Sequence, residues 1–356
     1  MCVALYSVVD TTRLPSHLWN LSLSTPTLLS PTTQTIFFKN RMALNNPGDN
    51  VEIPVAATKT FEPNATARAV FGADYEAELA VITRKDCKDV LAANALDCVL
   101  GYTAINDVSA RWWQNNDNLQ WSFAKSFDTH APLGPVFVHK DELGDASGLH
   151  LQLLLNGKVV QDANTTDLIF GVRKIVEFIT MGTTVEGGTV IATGTPPGTG
   201  LGDVKAGDVM TVSLEGVGNL TNPVVAQPAP VQPPLSLFHD NDQLVPVESP
   251  SSQPSTTNGR PPPLPAATRI IRFLDAAGTE HHGQPTDATL TAAHLIHGDI
   301  FGPRTLTGET AEVAKLLSPV RSTPAIYGVG CNYVGHCPIA INPNPQFPVR
   351  VMAMHP

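Results

Sequence analysis

Apolar and polar residues alternate with a period of two through much of this chain, the signature of strands rather than helices. TIFFKN (Thr35–Asn40) reads as a strand, and NNPGDN (Asn45–Asn50) as the turn after it, because Pro, Gly and Asn supply the backbone angles a turn needs. Val51–Val55 alternates again, and AELAVIT (Ala77–Thr83) continues the pattern. LHLQLLLNGKVVQD (Leu149–Asp162) is two such runs joined by Asn156-Gly157, a pair that adopts the left-handed angles of a two-residue hairpin. RIIRFLDAAG (Arg269–Gly278) and the start of TPAIYGVGCNYVGH (Thr323–His336) add strands, and FPVRVMAMHP closes the chain on another.

Helical spacing is rarer. TTDLIFGVRKIVEFIT (Thr165–Thr180) places Leu168, Val172, Ile175, Val176 and Ile179 on one stripe, with Thr166 or Asp167 positioned to cap it. Val90, Ala93, Leu96 and Leu100 predict a short helix that Gly101 stops. TDATLTAAHLIHG (Thr286–Gly298) and TAEVAKLLSPV (Thr310–Val320) also carry helical stripes. The sum is a mainly β chain with some α, an α+β class.

Composition narrows the possibilities. With 356 residues, 42% of them apolar, and a mean hydropathy of zero, the chain can bury a substantial core. A net charge of −10 and the lack of any Lys/Arg run argue against nucleic acid or an anionic membrane as partner. No apolar run approaches the roughly 20 residues of a membrane helix, and the first thirty residues lack the basic and apolar regions of a secretory signal, though they leave organelle targeting open. Five cysteines are odd in number and too sparse for a disulfide framework, so a cytoplasmic location is expected. Cys331 and Cys337 flank His336 without the second pair that zinc needs. Residues 1–32 read as a loosely ordered lead-in, 33–226 as the main folded block, and 227–268 as a linker. The stretch from Gln227 to Pro265 holds 11 of the 31 prolines. Residues 269–356 form a small α/β module.

The candidate chemistry concentrates between Asp74 and Lys125. Glu76 and Glu78, two residues apart beside a strand, leave one face together. Asp107 follows 29 residues after Glu78, and Lys125 lies 18 beyond Asp107. Three carboxylates without a His/Cys cluster suit a hard cation, Mg²⁺, Mn²⁺ or Ca²⁺, better than zinc. Carboxylates on a strand are also commonly just solvated, and the residues alone leave both readings open.

YEAELAVIT, GYTAINDVSARWWQ, AKSFDTHAPLGP, LLNGKVVQDANTTDLIF, ATGTPPGTG and AGDVMTVSLEGVGNLTNPV together resemble, in this order, the catalytic core of the fumarylacetoacetate hydrolase superfamily. The resemblance implies a twisted, mixed β-roll whose mouth holds a divalent metal, Mg²⁺ or Mn²⁺ and less favourably Ca²⁺, on Glu76, Glu78 and Asp107. It implies that Arg111, Gln114 and Thr195 contact the substrate, that Lys125 stabilises enolate or carboxylate charge, and that His336 is the general base. The family's small module, which ends in a G-x-N-Y-x-x-H motif, normally precedes the core. Here GVGCNYVGH and FPVRVMAMHP follow it, so the chain resembles a circular permutant. Relatives that activate water place a Glu three residues after this His; this chain has Ile339 there, after Pro338.

The implied function is metal-dependent C–C cleavage, by decarboxylation or hydrolysis, of a 2-oxo or β-diketo acid through an enolate. An isomerase, tautomerase or cyclising enzyme that activates no water is the alternative, and a non-catalytic metal- or ligand-binding relative is a third. A small-molecule oxo acid is the expected partner, and the resemblance implies a homodimer.

Overall fold

The computed structural model describes residues 33–57, 72–115, 120–200, 204–227, 268–334 and 336, all within one unit spanning Pro31–Cys337. The lead-in, nearly all of the Pro-rich linker, Cys337, Ile339 and FPVRVMAMHP lie outside the described residues.

Strands dominate. In chain order they are β1 (Thr35–Lys39), β2 (Leu44–Asn45), β3 (Val51–Ile53), β4 (Ala73–Asp74), β5 (Ala77–Thr83), β6 (Val99–Asn106), β7 (Ser109–Ala110) and β8 (Ala131–His139). The hairpin β9 (His150–Leu155) and β10 (Lys158–Asn164) comes next, followed by β11 (Val190–Ala192), β12 (Val209–Leu214) and β13 (Gly218–Ala226). Beyond the linker lie β14 (Arg269–Leu274), β15 (Glu280–Pro285), β16 (Ala292–Gly298), β17 (Arg304–Glu312), β18 (Lys315–Leu317) and β19 (Ile326–Gly330). Among the described residues four short α-helices interrupt them: α1 (Arg111–Asn115), α2 (Trp121–Ala124), α3 (Lys140–Leu143) and α4 (Val172–Ile179).

A twelve-stranded sheet runs β1-β19-β11-β5-β6-β8-β14-β15-β16-β17, with β2 beside β8 and β18 beside β14. A five-stranded sheet, β10-β9-β12-β13-β3, forms a second layer. One apolar cluster joins the two sheets through residues such as Leu79, Val81, Tyr102, Leu153 and Val212. A second covers the other face of the large sheet with Ala80, Ile82, Leu100, Phe137 and Ile326. All seven residues of β5 are therefore buried, and a strand covered on both faces reads as a nearly continuous apolar run. β19 lies between β1 and β11, antiparallel to the first and parallel to the second. The last described strand is thus built into the sheet that the first one edges.

The predicted class holds, and so do the strands at Thr35, Ala77, Arg269 and Ile326 and the hairpin, where Asn156 (φ 52°) and Gly157 (φ 78°) turn left-handed. Four helical readings need correction. Residues 92–97 form a 3₁₀ turn, after which Leu100 and Gly101 belong to β6. Gly101 permits close strand approach instead of stopping a helix: a Cβ there would sit 2.2 Å from the Val138 carbonyl oxygen. The long helix is split, because Thr165–Asp167 is a 3₁₀ turn with an Asn164 capping box and α4 begins only after Gly171. Residues 292–298 are strand β16, where a register shift between His294 and Ile296 buries Ala293 and Ile296 three apart, imitating a helical stripe. In 310–320 the imitation comes from two strands, β17 and β18, meeting at a turn where Val313 and Ala314 donate to Thr291 and Leu274. The described part of the small module is consequently β throughout.

Cysteine usage is the other correction. Cys87 and Cys98 are disulfide-bonded across a separation of 11, just before β6, and Cys331 is also disulfide-bonded. The count argued against a framework; the Cys87–Cys98 bridge needs only two cysteines brought together by the chain reversal between β5 and β6. The bridge removes the cysteine argument for a reducing compartment. No described helix is long and apolar enough to cross a membrane.

Gly101→Ala forces a methyl group against the Val138 carbonyl and the Phe137 ring. It is expected to lower unfolding free energy by about 2 kcal/mol or more, read as a fall in the urea midpoint at unchanged slope.

Candidate metal centre

Pairing of β5 with β6 closes the sequence gap between the acidic residues. Ala77 lies opposite Asn106, so Glu76 and Asp107 meet just beyond the strands, where the Asp107 N–H donates to the Glu76 carbonyl at 2.8 Å. Asn106 Oδ1 accepts from the Glu76 N–H at 3.0 Å and fixes that corner. One ligand oxygen each from Glu76, Glu78 and Asp107 falls within 4.8 Å of the others, and all three residues are buried. No other group of three metal-ligating side chains occurs among the described residues.

Two lysines face this triad. Lys125, at the C-cap of α2, places Nζ 2.6 Å from both Glu76 Oε2 and Asp107 Oδ2, over the Phe37 ring. Lys39, the last residue of β1, places Nζ 2.6 Å from Asp107 Oδ1 and donates to the Val108 carbonyl at 3.2 Å. Docking of α2 on β1 delivers both. Ser122 Oγ accepts from the Phe38 N–H and Ser126 Oγ from the Asn40 N–H, while Trp121 packs edge-on against Phe37. Sequence reasoning missed Lys39. The available signal was its parity: in TIFFK, Lys39 shares a face with the buried Phe37.

Arg111 is held by the protein itself. Its Nε reaches Asp74 Oδ2 at 2.7 Å, Nη1 reaches Glu76 Oε1 at 2.7 Å and Gln114 Oε1 at 2.6 Å, and Nη2 donates to Thr199 Oγ1 at 2.6 Å. Four of its five N–H bonds are thereby committed. Among the described residues none accepts from the Gln114 amide nitrogen. Thr195 Oγ1 donates to the Ala77 carbonyl at 2.9 Å and accepts from Gln161 Nε2 at 2.8 Å. Gln161 Oε1 in turn accepts from the Ala77 N–H. Asp74, named only as the edge of the candidate stretch, and Gln161, quoted within a motif, are further residues of the site to which the sequence assigned no task. His336 is half-buried and interacts electrostatically with Glu76, Arg111, Lys125 and Asp74, so this residue of the chain itself lies by the acidic cluster.

The charges do not cancel. Burial alone would raise the Glu76 carboxyl, but Lys125 and Arg111 hold it down to about 2. Burial works against protonated Lys125, yet Asp107 and Glu76 keep its pKa above the ordinary range. At Lys39 burial wins over Asp107 and lowers the pKa. Glu78 makes no ion pair among the described residues; it accepts one N–H, from Gly194 at 2.6 Å. Burial, then the charges of Asp107 and Glu76, push its carboxyl well above the usual range. The unmet charge at Glu78, beside two further carboxylates, fits a hard divalent cation held on oxygen. Burial also lowers the His336 pKa, which favours a neutral imidazole at pH 7.

Residues 10–225 match the family described as fumarylacetoacetate (FAA) hydrolase, C-terminal. The chain belongs to this family. Among relatives, an uncharacterized protein of Archaeoglobus fulgidus is 51% identical over 152 residues, which cover 43% of this chain and 58% of that protein. A putative hydrolase of Burkholderia multivorans is 37% identical over 194 residues, 53% of this chain and 64% of that one. The chain thus spans less than two thirds of the length of these curated relatives. Among solved structures, a 5-carboxymethyl-2-hydroxymuconate delta-isomerase from Mycobacterium smegmatis is 37% identical, with a TM-score of 0.49 over 56% of this chain and 72% of that chain.

The raised Glu78 pKa carries a stability consequence. The group titrates from 4.5 in the unfolded chain to a higher value in the fold, so it costs stability as pH rises through that window. In EDTA at pH 7, Glu78→Gln should therefore melt at least ~2 °C above wild type, with the gap closing near pH 4. Added Mn²⁺ should raise the wild-type melting temperature and leave the variant's unchanged.

Proposed function

We propose that this protein is a divalent-metal-dependent enzyme that cleaves a C–C bond in a 2-oxo acid or β-diketo acid, by decarboxylation or hydrolysis. The observation that carries the reading is the oxygen-only triad Glu76, Glu78 and Asp107 with the Lys125 ammonium against two of its members. Mg²⁺ or Mn²⁺, with Ca²⁺ third, would be held by these three residues and would polarise a chelated carbonyl as a Lewis acid. Lys125 neutralises the negative charge that develops on the substrate's enolate oxygen when the C–C bond breaks and its electron pair stays behind. Gln114, whose amide nitrogen donates to no described residue, binds the substrate carboxylate. Arg111, tied to Asp74, holds Glu76 in place and offers its remaining N–H. Thr195 supports the same end of the substrate from its Gly/Pro turn. In decarboxylation CO₂ departs and the enolate carbon takes a proton from water. In hydrolysis neutral His336 accepts a proton from water as hydroxide adds to the carbonyl, then returns it to the departing carbon.

Isomerisation is the second reading. Position 339 carries Ile where water-activating relatives carry Glu, and among the described residues no carboxylate accepts a hydrogen bond from the His336 ring. There His336 moves a proton between carbons of the enolate without water. We further propose a homodimer, a small-molecule oxo acid as partner, and a cytoplasmic location. The permuted order of the family's parts is also proposed, supported by the seat of β19 between β1 and β11.

With Mn²⁺, the purified protein is expected to turn over oxaloacetate or an acylpyruvate, and Lys125→Met to lower kcat by roughly 100-fold or more. Proton exchange at C3 in D₂O without cleavage, followed by NMR, selects isomerisation instead. Neither turnover nor exchange with any of these substrates rejects both enzyme readings.

A further inference from the structure

Glu78 owes its position to a loop that a distant residue holds. Its only hydrogen-bond donor among the described residues is the Gly194 N–H. Gly194 follows Thr193, whose N–H and Oγ1 both donate to the Leu79 carbonyl at 3.0 Å. On the opposite side, the Thr193 carbonyl accepts from Asn332 Nδ2 at 2.7 Å. Asn332 is fully buried just beyond β19, and its side chain also donates to the Phe170 carbonyl at 2.9 Å and accepts from the Phe170 N–H at 2.8 Å. Both amide protons and one oxygen lone pair are used, so its orientation is unambiguous. Gly194 adopts φ +102°, and a Cβ there would sit 2.7 Å from Asn332 Cβ. The backbone that presents its N–H to Glu78 is therefore packed directly against Asn332.

We propose that Asn332 is a positioning residue for the metal centre. Through the Thr193–Gly194 peptide it sets the direction of the Glu78 carboxylate. The inference rests on the metal reading of the triad for its consequence, but not for its geometry. A residue that merely stabilised the fold would lower melting temperature alone; a positioning residue also changes the Gly194 amide and the affinity of the triad, which support of this kind alters by 10- to 100-fold.

The test compares Asn332→Ala, and Asn332→Asp, with wild-type full-length protein. The aspartate keeps the acceptor for Phe170 and loses both donors, and covers the case where the alanine variant does not fold. Val176→Ala, in the buried stripe of α4, is the stability control. Two quantities are read: amide exchange at Gly194 relative to β6 by NMR in EDTA, and Mn²⁺ affinity by calorimetry. The expected result is Gly194 exchange at least ~10-fold faster and a Kd at least ~10-fold weaker in the Asn332 variants, with Val176→Ala at wild-type values for both. Wild-type protection of Gly194 in Asn332→Asp overturns the proposal. If wild-type protein takes up no Mn²⁺, the metal reading fails, and the exchange comparison alone upholds or overturns the positioning role.

Discussion

Removing a carboxylate from water is costly unless a cation or hydrogen-bond donors meet it, and this chain buries Asp74, Glu76, Glu78 and Asp107 together beside the paired ends of β5 and β6. Lys39, Lys125 and Arg111 answer three of those charges at 2.6 to 2.7 Å. Among the described residues Glu78 is left with one backbone N–H. The imbalance is local and directional: it puts the strongest unmet demand for positive charge where three oxygens converge. An ion-pair network built only for stability would have matched Glu78 as it matched Asp107.

The fold can be understood as the means of maintaining that arrangement. β5 is sealed on both faces by apolar clusters, so its register with β6 cannot slip without exposing one of them. That register brings Glu76 against Asp107. The cations come from outside the sheet's centre, on β1 and α2, which are joined through hydroxyls of Ser122 and Ser126 that satisfy the edge strand's N–H groups. Among the described strands β1 pairs with β19 alone, and the turn after β19 carries both Asn332 and His336. Residues far apart in the chain thus govern opposite sides of one site.

Much of this was legible in order of locality. Period-two alternation marked the strands, and Asn156-Gly157 marked the hairpin, because each depends on neighbours within a few positions. The helical stripes at 286–298 and 310–320 misled for a physical reason: a register shift and a turn between strands each displace buried residues from a spacing of two to three or four. The acidic triad was readable as residue types, and the order of motifs pointed to the three carboxylates that the fold brings together.

By itself the sequence determined that this is a mostly β protein carrying an oxygen-donor set and one basic residue, Lys125, beside it. It also determined the family, through the succession of motifs between Tyr75 and Val224. Tertiary structure alone decided which charges meet. Arg111, which the resemblance made a substrate contact, is largely committed to Asp74, Glu76, Gln114 and Thr199. Lys39, which looked like an ordinary strand end, lies against Asp107. Cys87 and Cys98 pair because the chain reverses between β5 and β6. Coulomb energies and hydrogen bonds depend on distances of a few ångströms, and those distances are set by the pairing of strands separated by tens to hundreds of residues, which no local pattern encodes.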